Sequence, residues 1–167
     1  MPTTDARAAS SPGDSGREPS REHDVAVLTQ LLGRVPRAGF EVVVRNAAGE
    51  PVVIRNAPLL DDGTPMPTRY WLVDPDLSLR VARLESAGGV RAAEAAVEPE
   101  ALGSAHARYA RERDAALAGD HADHAGPRPS GGVGGTARGV KCLHAHLAYH
   151  LAGGDDPVGR WAEENLR

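Results

Sequence analysis

Apolar positions change their spacing along this chain, and the changes mark out its elements. Residues 1–22 hold Ser, Pro, Gly, Asp, Arg and Glu with almost nothing apolar among them. Such a segment cannot offset the entropy of ordering, so a disordered tail is expected there. The first apolar run, Val25 to Leu32, sits between Asp24 and Gly33. An N-cap residue and a helix stop around it predict a short amphipathic helix. Arg34 to Gly39 reads as a basic turn. Two runs rich in Val and Ile follow, Phe40 to Arg45 and Pro51 to Arg55, joined by Asn46-Ala-Ala-Gly49. Turn residues between β-branched runs predict a β-hairpin. The loop from Asp61 to Thr68 is held by two prolines and bent at Gly63, and it feeds a third strand, Arg69 to Val73.

Helical spacing then takes over. Asp74 to Asp76 caps a helix through Leu77, Leu79, Val81 and Leu84 that ends at Gly88-Gly89. An Ala-rich helical stretch runs from about Val90 to Leu117 with a break at Pro99, and residues 119–139 are polar and Gly-rich, without periodicity. Lys141 to Ala152 is the last firm helix, stopped by Gly153-Gly154. On it Val140, Leu143, Leu147 and Leu151 share one face, the core side. The pattern predicts a single α+β domain over residues 23–167, a small antiparallel sheet of about three strands packed by four or five helices.

Composition narrows the function classes. Hydrophobic residues make up 41% of the chain and aromatics only 4%, so the core is built mostly from Val, Leu and Ala. A formal charge of −4 is too close to neutral for non-specific nucleic-acid binding. The chain has no apolar run near the ~20 residues that cross a bilayer, which points away from membrane insertion. One cysteine, Cys142, rules out an internal disulfide and fits a reducing compartment. With no signal-like N-terminus, a cytoplasmic location is expected.

Candidate chemistry crowds into residues 131–159 and the Asp61–Thr68 loop. Cys142, His146 and His150 form a stripe at i, i+4, i+8 of the last helix, with ligand types that zinc prefers. A straight helix separates Cys142 from His150 by ~12 Å, so one ion takes at most an adjacent pair and needs further ligands from elsewhere, such as Asp61, Asp62, His106, His121, His124 or Asp155. The alternative is a helix whose histidines bond carbonyls or water. Cys142 in a helix first turn, beside Lys141 and one turn from His146, has the ingredients of an activated nucleophile with a lowered pKa; the alternative is a small buried residue. Gly134 and Gly135 belong to a glycine-rich loop that runs toward a helix start, where backbone N–H groups can cradle an anion. The spacing departs from the Walker pattern because Val140 and Lys141 stand where that pattern has Lys and Ser or Thr, so nucleotide hydrolysis is not indicated. Tyr70 and Trp71, adjacent in a strand, point to opposite faces, and one of them is core.

Three segments carry a resemblance. Asp62-Gly-Thr-Pro-Met-Pro-Thr-Arg-Tyr-Trp-Leu72, Val140-Lys-Cys-Leu-His-Ala-His146 and Gly153-Gly-Asp-Asp-Pro-Val-Gly159, in this order, resemble an uncharacterised actinobacterial family, the domain of unknown function 501, over roughly Leu31 to Trp161. The resemblance implies no activity. It does imply a gene neighbourhood with enolase, a short coiled-coil septum-formation initiator and an exopolyphosphatase-like enzyme, and so a link to cell division or phosphate metabolism. Some members of the family carry cysteines near the hairpin turn and after the Tyr-Trp strand, where this chain has Asn46 and Asp74. That departure argues against a cysteine-rich zinc site here.

The sequence supports two readings and leaves open whether the protein is an enzyme. In the first, a small anion or a metal binds between the Asp61–Thr68 loop and the start of the Lys141–Ala152 helix. Lys141, Thr64, Arg69, Gly134 and Gly135 would bind the ligand, and Cys142, His144 and Asp62 would carry chemistry. Cys142, His146 and His150 are the candidate metal ligands, zinc being the candidate ion. In the second, the domain is a non-catalytic adaptor for a division or envelope partner, with Trp71, Tyr149 and Trp161 as contacts. An enzyme should show a concave pocket, an adaptor an exposed aromatic patch.

Overall fold

The computed structural model describes residues 18–166. The chain forms α1 (Glu18–Leu32), β1 (Phe40–Arg45), β2 (Pro51–Asn56), β3 (Tyr70–Leu72), α2 (Pro75–Ser86), α3 (Gly89–Ala96), α4 (Pro99–Asp120), α5 (Leu143–Leu151) and α6 (Pro157–Asn165), with a 3₁₀ turn at Val133–Gly135. The strands make one antiparallel sheet in the order β1-β2-β3. This is the small α+β fold that the hydrophobic pattern predicts, with six helices among the described residues.

Side-chain alternation splits the sheet into two working faces. Ile54 and Trp71 stand opposite each other in the β2–β3 register and pack with Leu28 of α1 on one side. Val53 and Tyr70 belong to the other side, with Tyr109 of α4 and Tyr149 of α5. Tyr70 and Trp71 therefore do part to opposite faces. A second helical core joins α2, α3, α4, α5 and α6 through Val81, Ala93, Leu102, Leu147 and Val158. Because α5 lies between the sheet and the other helices, it is buried almost all round: Leu143, Ala145, His146, Leu147, Ala148 and Tyr149 are all buried.

Several local expectations shift. Residues 1–17 of the expected tail lie outside the described residues, and α1 begins at Glu18, inside the stretch read as tail. Asp24 is not an N-cap. It sits within α1 and receives both terminal nitrogens of Arg45, at 2.9 and 2.7 Å, so it ties the helix to β1. Helix α5 starts at Leu143 rather than Lys141, with Cys142 as an extended N-cap residue at φ −156°. Helix α6 was not foreseen, although Asp156 and Pro157 are an N-cap and a first-turn proline.

The segment Gly153–Gly159 joins α5 to α6 through a series of specific contacts. Gly153 takes φ +94° and donates to His150 O, while Gly154 N donates to Tyr149 O, closing α5. A Cβ on Gly154 would lie 2.5 Å from the ring of Tyr149. Asp156 Oδ1 accepts from Val158 N at 2.9 Å and Gly159 N at 3.0 Å, capping α6.

Candidate functional site: a tyrosine–arginine cleft

The chain has three tyrosines, and the fold brings all three together. Tyr70 comes from β3, Tyr109 from the middle of α4 and Tyr149 from the end of α5. Ring centroids are 5.2 Å apart for Tyr70 and Tyr149, and 5.1 Å for Tyr109 and Tyr149, the latter pair edge to face. Such spacings suit aromatic quadrupoles and lock the rings against one another. Tyr109 is the inner member: its hydroxyl accepts from Arg69 N at 2.6 Å and donates to Pro67 O at 3.0 Å, pinning the Asp61–Thr68 loop to α4.

Tyr149 and Tyr70 are the outer members, and they turn their hydroxyls to one carboxylate. Tyr149 donates to Glu112 Oε1 at 2.8 Å and Tyr70 to Oε2 at 3.4 Å. Arg69, buried, uses Nε on Asn56 O at 3.3 Å and Nη1 on Glu112 O at 3.0 Å. Arg55 stands beside Tyr70 at the mouth and pairs with Glu41 at 2.5 Å. Together these groups border an open cleft of about 510 Å³ between the sheet edge, α4 and the end of α5, with Gly153 and Gly154 as its far wall.

Electrostatics fix what the phenols do. Burial, reinforced by Glu112, pushes the Tyr149 hydroxyl well above the ordinary tyrosine range, and burial followed by the charge of Glu112 raises Tyr70. Burial pushes Tyr109 up to about 12. All three stay protonated at neutral pH, so they serve as hydrogen-bond donors rather than as bases. The cleft holds two guanidinium groups, two carboxylates, Glu112 and Asp120, and the two phenols that bond Glu112.

The residues singled out from sequence are distributed differently. A Cβ added at Gly134 would meet Lys141 at 3.7 Å and one at Gly135 would meet Pro67 at 3.6 Å, so the glycine-rich loop runs between the Asp61–Thr68 loop and the start of α5. The helix N-terminus, however, is already served from within the protein. Glu85 Oε1 accepts from Leu143 N at 2.5 Å and pairs with His144 Nδ1 at 3.2 Å, while His144 Nε2 lies 3.1 Å from Ser78 O. The carboxylate of Glu85 stands where the sequence reading placed an external anion. Asp62 and Thr64 are exposed: Asp62 Oδ1 accepts from Thr64 N at 2.9 Å and Asp62 Oδ2 pairs with Arg37 at 3.2 Å. Those bonds, Thr64 first, hold the Asp62 carboxyl below its usual value. Burial pushes the Cys142 thiol up, opposite to the lowering expected of a first-turn cysteine, because desolvation of the half-buried side chain outweighs the lowering by the Ala145 and His144 N–H groups.

The three candidate metal ligands diverge. His146, without exposed atoms, donates from Nδ1 to Asp156 Oδ2 at 2.7 Å. His150 Nε2 lies 3.0 Å from Glu163 Oε2. Cys142 stays at the far end of the helix, and no group of three metal-type side chains forms among the described residues. His106, which the sequence offers only as a further metal ligand, packs edge-on against His146 at 5.6 Å. Its Nδ1 accepts from Val133 N at 3.0 Å, so Nε2 carries the proton and donates to Gly139 O at 3.0 Å. It thereby holds the glycine-rich loop at two points. Of the proposed contact aromatics, Trp71 and Trp161 are half-buried and Tyr149 is buried; the exposed large apolar side chains among the described residues are Leu31, Val35 and Leu79. Asn46 and Asp74 cap a turn and a helix: Asn46 Oδ1 accepts from Ala48 N and Glu50 N, Asp74 Oδ1 from Leu77 N.

The profile of one protein family, described as protein of unknown function (DUF501), matches residues 42–164. That span contains every cleft residue from Arg55 to Gly154 and leaves α1 outside. No curated protein matches the chain, and no solved structure does.

Proposed function

We propose that this chain, which belongs to the DUF501 family, is a small-ligand-binding domain whose site is the tyrosine–arginine cleft. The observation that carries the reading is the convergence of Arg55, Arg69, Tyr70, Tyr149 and Glu112 on one open depression. A small anionic metabolite with a hydroxyl or amino group suits that donor set. Its carboxylate or phosphate meets the guanidinium groups and phenols, and its own donor meets Glu112. Ligand sites commonly have this form, a largely preformed concavity with a few convergent polar groups. Here the preformation comes from the locked rings and from the backbone bonds that hold Arg69.

The site thus lies at the C-terminal end of α5, not at its start. The Asp61–Thr68 loop still contributes, through Arg69 at its exit. Calorimetric titration tests the reading with inorganic phosphate, pyrophosphate, citrate and the acidic amino acids as probes. Binding by at least one of them, weakened roughly tenfold or more in Tyr149→Phe, is the expected result, since a hydrogen bond to a charged group contributes about 1.5–3 kcal/mol. Equal affinity in wild type, Tyr149→Phe and Arg55→Gln would remove the cleft from the account.

A further inference from the structure

On the opposite face of the sheet, one buried polar group has no hydrogen-bond partner among the described residues. Asn56 is the last residue of β2, and strand alternation turns its side chain to the α1 side together with Ile54, away from Arg55 and the tyrosine cleft. Its side-chain amide Nδ2 is buried and makes no hydrogen bond, although the residue is only 5% exposed. Its backbone is fully engaged, with Asn56 N donating to Arg69 O at 2.6 Å and Asn56 O accepting from Arg69 Nε. Only the amide is left over. Unpaired buried donors are rare in folded proteins, and each calls for an explanation.

Asn56 is among the residues that border a narrow crevice of about 60 Å³, with Nδ2 buried behind its surface. Ile54, Leu60, Met66 and Trp71 supply apolar walls, and Arg34 and Arg37 stand at the rim. The walls are held by backbone bonds: Ala57 N to Gly39 O at 2.7 Å, Asp61 N to Arg37 O at 3.0 Å and Met66 N to Pro58 O at 2.8 Å. The crevice is therefore built before anything enters it.

We propose that this crevice is a second binding site, specific for the carboxylate end of a small monocarboxylic acid with an apolar body. Nδ2 is a donor and needs an acceptor oxygen. Two arginines at the rim select an anion over a neutral carbonyl, and Arg37 keeps a guanidinium there while sharing Asp62. Apolar walls favour a short branched or flat hydrocarbon over a second charged group. The volume is roughly that of two water molecules, so the carboxyl group and its first carbons enter and the rest follows the groove outward. A free phosphate has no apolar part for Trp71 and Met66 to cover, which separates this specificity from that of the tyrosine cleft.

The side-chain ¹⁵N–¹H pair of Asn56 reports directly on occupancy. Titration of the full-length protein with isobutyrate or benzoate, at constant ionic strength, should shift that pair saturably, while isobutyramide and phosphate leave it in place. Asn56→Leu, which keeps the branched shape and removes the donor, should lower the affinity at least about tenfold. Should Asn56→Leu fail to fold, Asn56→Asp and Arg34→Gln serve instead, the first by repelling the anion and the second by removing a rim charge; both must weaken binding. An Asn56 resonance that is unmoved by the acids and shows only exchange contacts to water would mean a hydration site and overturn the proposal. So would affinities unchanged in these variants.

Discussion

His106 shows how a single buried side chain can organise a loop that has no regular structure of its own. One ring nitrogen accepts from Val133 N and the other donates to Gly139 O, an arrangement available only to the neutral imidazole. Burial lowers its pKa below the ordinary value. A histidine depressed in the folded state binds its proton more readily when unfolded. The stability it contributes is complete above the unfolded value of about 6.5 and is lost as pH falls from there toward the folded pKa. Urea denaturation of the wild type should accordingly show stability falling below about pH 6.5, and His106→Gln should flatten that part of the profile. Equal pH slopes in the two proteins would show that His106 does not titrate in this way. Cys142 gives a second residue-level test. With its thiol raised by burial it should react with iodoacetamide at pH 7 more slowly than free cysteine and become reactive on unfolding. Faster alkylation in the folded protein would instead restore the nucleophile reading.

At the level of elements, what could be read from sequence was local. The hairpin showed in its β-branched runs and the Asn46-Ala-Ala-Gly49 connector, and the break between α3 and α4 showed at Pro99. The leucine face of α5 showed in its spacing. The rotation of α5 could not be read as fully, because the helix is packed on nearly every side: His146 is as deeply buried as Leu147, and amphipathic logic assumes a wet face. The start of α6 was written in Asp156-Pro157, but the carboxylate has two jobs. It caps α6 and also accepts from His146 on α5, and only the second is long-range. The crossing of these helices rests on Gly159, where an added Cβ would overlap the His146 carbonyl oxygen and the His150 Cβ. Gly159→Ala should cost about 1–3 kcal/mol, the usual penalty for overpacking. Gly103→Ala, in α4 with open space at its Cβ position, should stabilise by about 0.5–1 kcal/mol through helix propensity. Thermal or denaturant melts of the two variants decide it; a neutral Gly159→Ala would mean that α5 and α6 are less closely apposed.

For the whole molecule, the candidate site is the part least visible in the sequence. Tyr70, Tyr109 and Tyr149 come from three elements about forty residues apart in the chain, and neither spacing nor local propensity joins them. The one available signal was that they are the only tyrosines in the sequence. The histidines and the cysteine drew attention because their side chains are chemically versatile, yet the fold spends His106 and His146 on holding loops and helices together. Arg69 was identified from sequence, and it does reach the cleft, by way of the bonds that pin it between Asn56 and Glu112. That two of the three tyrosines line the proposed site while the third packs behind them makes the central claim directly measurable. Protein grown with 3-fluorotyrosine should give three ¹⁹F resonances, assigned by Tyr→Phe substitution. Titration with the anion identified calorimetrically should shift Tyr70 and Tyr149 saturably and Tyr109 less, since Tyr109 lies behind them, and Arg55→Gln should weaken the response. If the tyrosine resonances stay fixed while the anion binds, the ligand lies elsewhere and the cleft is not the site.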